Sequence, residues 1–245
     1  MTSIPRLRIF AGPNGSGKST MKSVIKPELL GFYINPDDIE KQIVELGILD
    51  LRQFKIQTTE TEILQFFENS TLIQQADLVL EALELRFLEG KLSFHNVNIN
   101  SYFASVIADF IRQKLLVAQQ SFTFETVMSA PDKVKLLANA QKAGYRTYLY
   151  FVATEDPYIN ISRVKQRVKA GGHNVPEDKI ISRYYRSLDL LMDAIKQTNR
   201  AYIFDNSNDK LLFIAEITDA HTLNIKADTV PAWFKKFVLD KISNN

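Results

Sequence analysis

The stretch Gly12-Pro13-Asn14-Gly15-Ser16-Gly17-Lys18-Ser19-Thr20 constrains this chain more than any other, because it matches the phosphate-loop pattern G-x-x-x-x-G-K-[ST] in full. An apolar run at 7–11 leads into it, and residues 19 to about 25 can form a helix after it. In that setting the glycines let backbone amides turn inward onto phosphate oxygens, beside the positive end of a helix. Lys18 then places a cation between β- and γ-phosphates, and the Ser19 hydroxyl is an expected ligand of Mg²⁺. The motif therefore predicts a nucleoside triphosphate, ATP or GTP, bound at 12–20 with Mg²⁺ as cofactor.

A loop of this kind sits at the end of a strand in an α/β sheet, and the rest of the sequence agrees. Runs rich in Ile, Phe, Tyr and Val occur at 6–11, 32–35, 121–126, 146–153 and 201–205, most of them followed by helical stretches. They lack the strict alternation of half-exposed strands, which argues for a mostly parallel sheet of about five strands covered on both faces. The expected fold is thus a three-layer α/β P-loop NTPase, read as one kinase domain over 1–245. Between the second and third runs lies an interval too long for one crossover, read as a helical insertion at 48–100. Within it Thr58 or Thr59 can cap a helix through Ile63 and Phe67, and residues 77–87 read as another; after it Ser101 can cap an amphipathic helix carrying Phe103, Ile107 and Phe110 that leads back into the sheet. The chain ends in an expected hairpin around 219–221 and a helix from Pro231 whose Trp233, Phe234 and Phe237 read as core cover.

Composition removes several classes of function. With no cysteine among 245 residues, disulfides, thiolate zinc sites and a cysteine nucleophile are excluded. A net charge of +2 gives no field that favours nucleic acid, and no apolar run reaches membrane-spanning length. A cytoplasmic protein with neither nucleic acid nor membrane as partner is expected. The chain lacks the signature segment of transporter ATPases, and its Asn224-Ile225-Lys226-Ala227-Asp228 has the letters of a guanine loop at the wrong spacing.

Small-molecule kinases and their relatives remain, and they need an acceptor base and a charge clamp. Asp37 and Asp38 follow the second run, where the carboxyl ends of parallel strands line the ligand crevice. Asp37 is the candidate base and substrate ligand; Asp38 is the candidate helix cap. Glu125, with Thr126 behind it, ends the third run, where a carboxylate needs a donor, a metal or a substrate hydroxyl; a structural salt bridge is the alternative. Asp156-Pro157 opens a helix with Arg163 and Arg167 on one face, and Val164 and Val168 turned to packing. A Gly171-Gly172-His173 hinge leads to a second helix with Arg183 and Arg186. This segment, about 156–190, reads as a lid, with Arg163 and Arg167 as catalytic candidates and Arg183 as a nucleotide ligand. A solvated basic face is the plain alternative, and His173 is a candidate lid contact.

The combination of the 12–20 loop with N-P-D-D-I, F-E-T, G-Y-R-T-Y-L-Y-F-V and R-V-K-x-R-V-K-x-G-G-H-x-V-P resembles the zeta-toxin family of P-loop kinases, in its chromosomal bacterial branch. The resemblance covers about 7–206 apart from the insertion, which is longer than in the plasmid toxins. Members phosphorylate the 3′-hydroxyl of UDP-N-acetylglucosamine with ATP or GTP. The resemblance implies a UDP-sugar acceptor, Asp37 as base, Glu125 as substrate-binding acid, Lys18 and Ser19 as the loop pair, and an antitoxin protein as candidate partner. The other reading is a nucleotide-binding switch or slow NTPase whose insertion docks a protein.

Overall fold

The structure, a computed structural model, describes residues 4–172 and 174–243. In chain order the strands are β1 (Arg6–Ala11), β2 (Phe32–Ile34), β3 (Ile48–Asp50), β4 (Arg86–Leu88), β5 (Lys91–Ser93), β6 (Phe122–Thr126), β7 (Arg146–Ala153), β8 (Arg200–Asp205), β9 (Leu212–Thr218) and β10 (Thr222–Ile225). The principal helices are α1 (Pro36–Leu46), α2 (Glu60–Glu68), α3 (Thr71–Gln75), α4 (Val79–Leu83), α5 (Ser101–Val117), α6 (Asp132–Lys142), α7 (Pro157–Lys169), α8 (Glu177–Asp189) and α9 (Leu191–Lys196). The chain divides into two compact units, one made of residues up to 31 with 123 onward, the other of 32–122.

In the first unit the strands hydrogen-bond in the order β10-β9-β8-β7-β1-β6. The centre is parallel: β1 pairs with β7 from Arg6–Arg146 to Ala11–Phe151, and β7 with β8 from Tyr148–Arg200 to Ala153–Asp205. β9 and β10 form the expected hairpin and run antiparallel. All five expected strands are present, so the α/β P-loop class stands, but the strand number exceeds five because the hairpin joins the sheet. One face is a dry core in which Leu7, Ile9, Leu149, Phe151, Ala201 and Ile203 are inaccessible to solvent. Each large apolar side chain buried this way contributes about 1.5–3 kcal/mol. Trp233 and Phe234 close that core as expected. The Trp233 indole lies 6.3 Å from the Phe151 ring and donates its Nε1–H to the buried Asp205 carboxylate at 2.8 Å.

The other face differs from expectation. Along β7, Arg146, Tyr148 and Tyr150 are exposed or half-buried between buried Thr147, Leu149 and Phe151, and Tyr202 repeats the pattern on β8. These strands do alternate. Tyrosine reads as apolar in a sequence, yet its hydroxyl tolerates a wet face, and that hid the period of two.

The second unit is less helical than the insertion reading supposed. Residues 48–100 carry an antiparallel sheet, β3-β5-β4, as well as α2 to α4. The helix expected at 77–87 stops at Leu83, because Arg86–Leu88 pairs with Lys91–Ser93 through a turn in which Glu89 and Gly90 both take positive φ. Cross-strand pairing outweighs the local helical pattern there. Thr59 caps α2, accepting the Glu62 amide at 3.2 Å. α5 is capped by Asn100 rather than Ser101: its Oδ1 accepts the amides of Tyr102 and Phe103, and its backbone is extended as a cap requires. Phe103 then packs against Phe67 and Phe94, with ring centroids 6.0 and 6.1 Å apart.

Candidate functional site: the phosphate loop

The loop leaves β1 and curls through residues 12–17 into a 3-10 helix, Lys18–Ser23. This is shorter and tighter than the helix expected to run to about residue 25. Two glycines are required by close approach. A Cβ on Gly12, at φ 141°, would stand 2.0 Å from the Val152 carbonyl oxygen at the end of β7. A Cβ on Gly17, at φ 93°, would stand 2.2 Å from Asn206 Nδ2. The loop is therefore fitted against the carboxyl end of the neighbouring strand β7 and against the residue that follows β8, one strand further on. Asn206, immediately after β8, holds it: its Nδ2 donates to the Ser16 carbonyl at 2.8 Å, and its own amide donates to Ala153 O at 2.8 Å. Sequence reasoning missed Asn206, although the residue after a parallel strand is the place where this fold gathers its functional groups.

Inside the curl, the amides of Asn14, Gly15 and Gly17 have no partner among the described residues, while Ser16 N donates to Pro13 O at 3.2 Å. The buried Asn14 Oδ1 and Ser16 Oγ are also without partners. Native structures rarely leave buried polar side-chain atoms such as these two unanswered. A row of inward amides beside an ammonium is the donor set that phosphate oxygens satisfy. Lys18 is held across the loop, its Nζ donating to Gly12 O at 2.9 Å and Pro13 O at 3.0 Å. Thr20 donates its hydroxyl to Gly17 O at 2.6 Å.

Glu125, the last residue but one of β6, is almost fully buried, and the Ser19 hydroxyl donates to its Oε2 at 3.3 Å. The structure thus brings together two residues that the sequence placed 106 positions apart. A hydroxyl and a carboxylate are the hard oxygen donors that Mg²⁺ takes alongside phosphate and water. The described residues hold no cluster of three or more His, Asp or Glu side chains that would bind a metal by themselves, so this pair fits a metal that arrives with phosphate. Thr126 accepts the Met128 amide through its hydroxyl at 3.0 Å.

Asp156 caps α7 with Pro157 in the first turn, as the sequence implied. Arg163 reaches inward, and its Nη1 donates to the Asn206 carbonyl at 2.6 Å. Arg167 is exposed and Arg183 half-buried. Val164 is buried with Ile161 and Ile180 between α7 and α8, whereas Val168, expected to pack, is exposed at the far end of the helix. α8 is pinned to the sheet by Tyr184, whose hydroxyl donates to Thr154 O at 2.6 Å, and by Ser187, which donates to Val127 O at 2.8 Å. Burial raises the Tyr184 phenol far above its ordinary value. His173 lies outside the described residues.

Asp37 belongs to the second unit. It is exposed in the first turn of α1, and its amide donates to Asn35 Oδ1 at 2.9 Å. Asn35 is thus the cap expected of Asp38, because Pro36 already starts the helix and only Asn35 keeps extended backbone angles.

Comparison with known proteins agrees with this geometry. The sequence matches the family described as Zeta toxin over residues 83–217, more than half of the chain, a stretch that includes Glu125, Arg163, Arg167, Arg183 and Asn206. A curated relative, an uncharacterized protein of Haemophilus influenzae, is 32% identical over 63 residues, which are 26% of this chain and 45% of that one. Among solved structures, the AvrRxo1-ORF1:AvrRxo1-ORF2 complex with sulphate ions superposes with a TM-score of 0.54 at 13% identity, covering 91% of this chain and 61% of that chain. The same complex with ATP gives 0.52 at 12% identity and the same coverages. The PezAT chromosomal toxin-antitoxin system of Streptococcus pneumoniae gives 0.52 at 13%, covering 95% and 76%. At these identities the structural likeness is one of fold. No helix among the described residues is long and apolar enough to cross a membrane.

Proposed function

Because the chain belongs to the zeta-toxin family, we propose that it is a P-loop kinase that moves the γ-phosphate of ATP or GTP to a hydroxyl of a small acceptor, a UDP-sugar of the UDP-N-acetylglucosamine kind. The observation that carries this reading is the set of loop amides without partners among the described residues, at Asn14, Gly15 and Gly17, together with Lys18 and the Ser19–Glu125 pair. In the proposed reaction the acceptor oxygen bonds to the γ-phosphorus as its bond to the β–γ bridging oxygen breaks, and the nucleoside diphosphate leaves. Asp37, on its sequence motif, is the proposed base that receives the acceptor proton. Lys18 stabilises charge on the transferring group. Ser19 and Glu125 would hold Mg²⁺, which when bound neutralises charge on the phosphates. Arg163, Arg167 and Arg183 are the proposed clamp. Arg163 acts at least in part by fixing Asn206, and through it the loop.

A second reading, a nucleotide switch or slow NTPase that docks a protein, is favoured by Leu80 and Leu88, which stand 77% and 75% exposed in the second unit. The structural neighbours are a two-protein complex and a toxin-antitoxin system, which makes an antitoxin protein the proposed partner. One experiment separates the readings. The protein is incubated with ATP, Mg²⁺ and UDP-N-acetylglucosamine, with Asp37→Ala as control, and phosphate on the sugar nucleotide is read by mass spectrometry. A phosphorylated product that the variant does not form supports the kinase. Hydrolysis of ATP with the sugar nucleotide untouched removes the proposed acceptor and favours the switch.

A further inference from the structure

Asp205 is buried at the end of β8, and nothing in the proposed phosphotransfer uses its carboxylate. Its hydrogen-bond donors among the described residues are all uncharged. Oδ1 accepts the Ser207 amide at 2.9 Å, while Oδ2 accepts the Ser207 hydroxyl at 2.9 Å and the Trp233 indole N–H at 2.8 Å. Burying a carboxylate without a cation is costly, and convergent hydrogen bonds offset that cost. A neutral acceptor would satisfy the indole on its own. What the carboxylate adds is a double grip on Ser207, which closes a tight turn with Asn206 in its middle. The Ser207 hydroxyl oxygen in turn accepts the Glu155 amide at 2.8 Å, just past the end of β7.

The turn matters because of what Asn206 does with its side chain. Its Nδ2 donates to the Ser16 carbonyl at 2.8 Å. A trans peptide is planar, so its C=O and N–H point in opposite directions. Anchoring the Ser16 carbonyl on Asn206 therefore aims the Gly17 N–H the other way, and that amide is one of those without a partner among the described residues. We propose that Asp205 and Trp233 are positioning residues for nucleotide binding: the indole orients the carboxylate, the carboxylate sets the turn at 205–207, and the turn aims the Gly17 amide through Asn206. The C-terminal segment that carries Trp233 is in this way part of the phosphate site and not only a cover for the core. The proposal rests on the reading that the loop binds a nucleotide, and is independent of the acceptor and of phosphoryl transfer.

The test measures ADP binding to the full chain by titration calorimetry in the presence of Mg²⁺. Trp233→Phe keeps an aromatic ring in the core and removes the indole N–H; it should weaken ADP about threefold. Asp205→Ala should weaken it about tenfold. Ser207→Ala, at a half-buried position, loosens the same turn with less risk to folding and should weaken ADP about threefold. Phe237→Leu disturbs the same C-terminal cover without touching the turn, so it should lower the Tm and leave ADP binding unchanged. In an Asn206→Ala background Trp233→Phe should have no further effect on ADP, because the path runs through Asn206. Undiminished binding by Trp233→Phe and Ser207→Ala, an equal loss in Phe237→Leu, or the same threefold loss in the Asn206→Ala background would overturn the proposal. Absence of ADP binding by the unaltered protein would remove the nucleotide reading itself, and this inference with it.

Discussion

The contact between Gly17 and Asn206 permits a quantitative test of how the phosphate loop is held. In Gly17→Ala the new Cβ would sit 2.2 Å from Asn206 Nδ2 at a backbone φ of 93°. Two costs follow. Holding an L-residue in that region costs about 1–2 kcal/mol. Displacing Asn206 forfeits its bond to Ser16 O, worth about 1 kcal/mol net. Gly17→Ala should therefore destabilise by roughly 2–3 kcal/mol and Asn206→Ala by roughly 1 kcal/mol. In the double variant the obstacle is gone before the methyl arrives, so the lost bond is counted once. Its cost should fall short of the sum by about 1 kcal/mol, a coupling well above the ~0.3–0.5 kcal/mol scatter of independent sites. Urea unfolding of the four proteins measures this directly. Gly12→Ala is the internal contrast, because its obstacle is the Val152 backbone carbonyl at 2.0 Å and no side-chain change relieves it. Additive costs in the Gly17–Asn206 cycle would refute the reasoning that Asn206 is what dictates glycine at position 17.

Four further outcomes are expected. Lys18→Ala should abolish nucleotide turnover, read by release of inorganic phosphate, whereas Asp37→Ala should keep nucleotide binding by calorimetry and lose transfer; undiminished transfer would remove Asp37 as base. Glu125→Gln should raise the Mg²⁺ concentration needed for half-maximal turnover, since it takes charge from the carboxylate that Ser19 contacts. Arg163→Ala should raise the KM for nucleotide as well as lower kcat, because its guanidinium fixes Asn206; a loss confined to kcat would place it on the transferring phosphate alone. Tyr145 and Tyr150 are pushed up to about 12 by burial, so absorbance titration should show them ionising after the exposed tyrosines. Their raised values mean that the stability they contribute is complete below pH about 10 and is lost as pH rises toward 12, and Tyr150→Phe should remove one late-titrating phenol.

Local chemistry made much of this legible in the amino-acid sequence. The 12–20 loop, the five strands, the Asp156-Pro157 helix start, the Thr59 cap and the aromatic C-terminal cover all depend on residues close together in the chain, where backbone preference and hydrogen-bond reach are enough. The caps at Asn35 and Asn100 lay three residues from Asp38 and one from Ser101, the residues expected to serve, because a cap is chosen by backbone angles that the sequence does not state. The hairpin at 86–93 was hidden, since strand pairing is a long-range gain and a local helical pattern was present as well. So was the period of two in β7 and β8, because whether a tyrosine is core or rim depends on what covers it. Tertiary structure alone set Glu125 against Ser19 and tied Asn206 to Ser16 and Arg163. Those relations are fixed by strand order and register, which packing of the whole sheet selects and no single segment encodes.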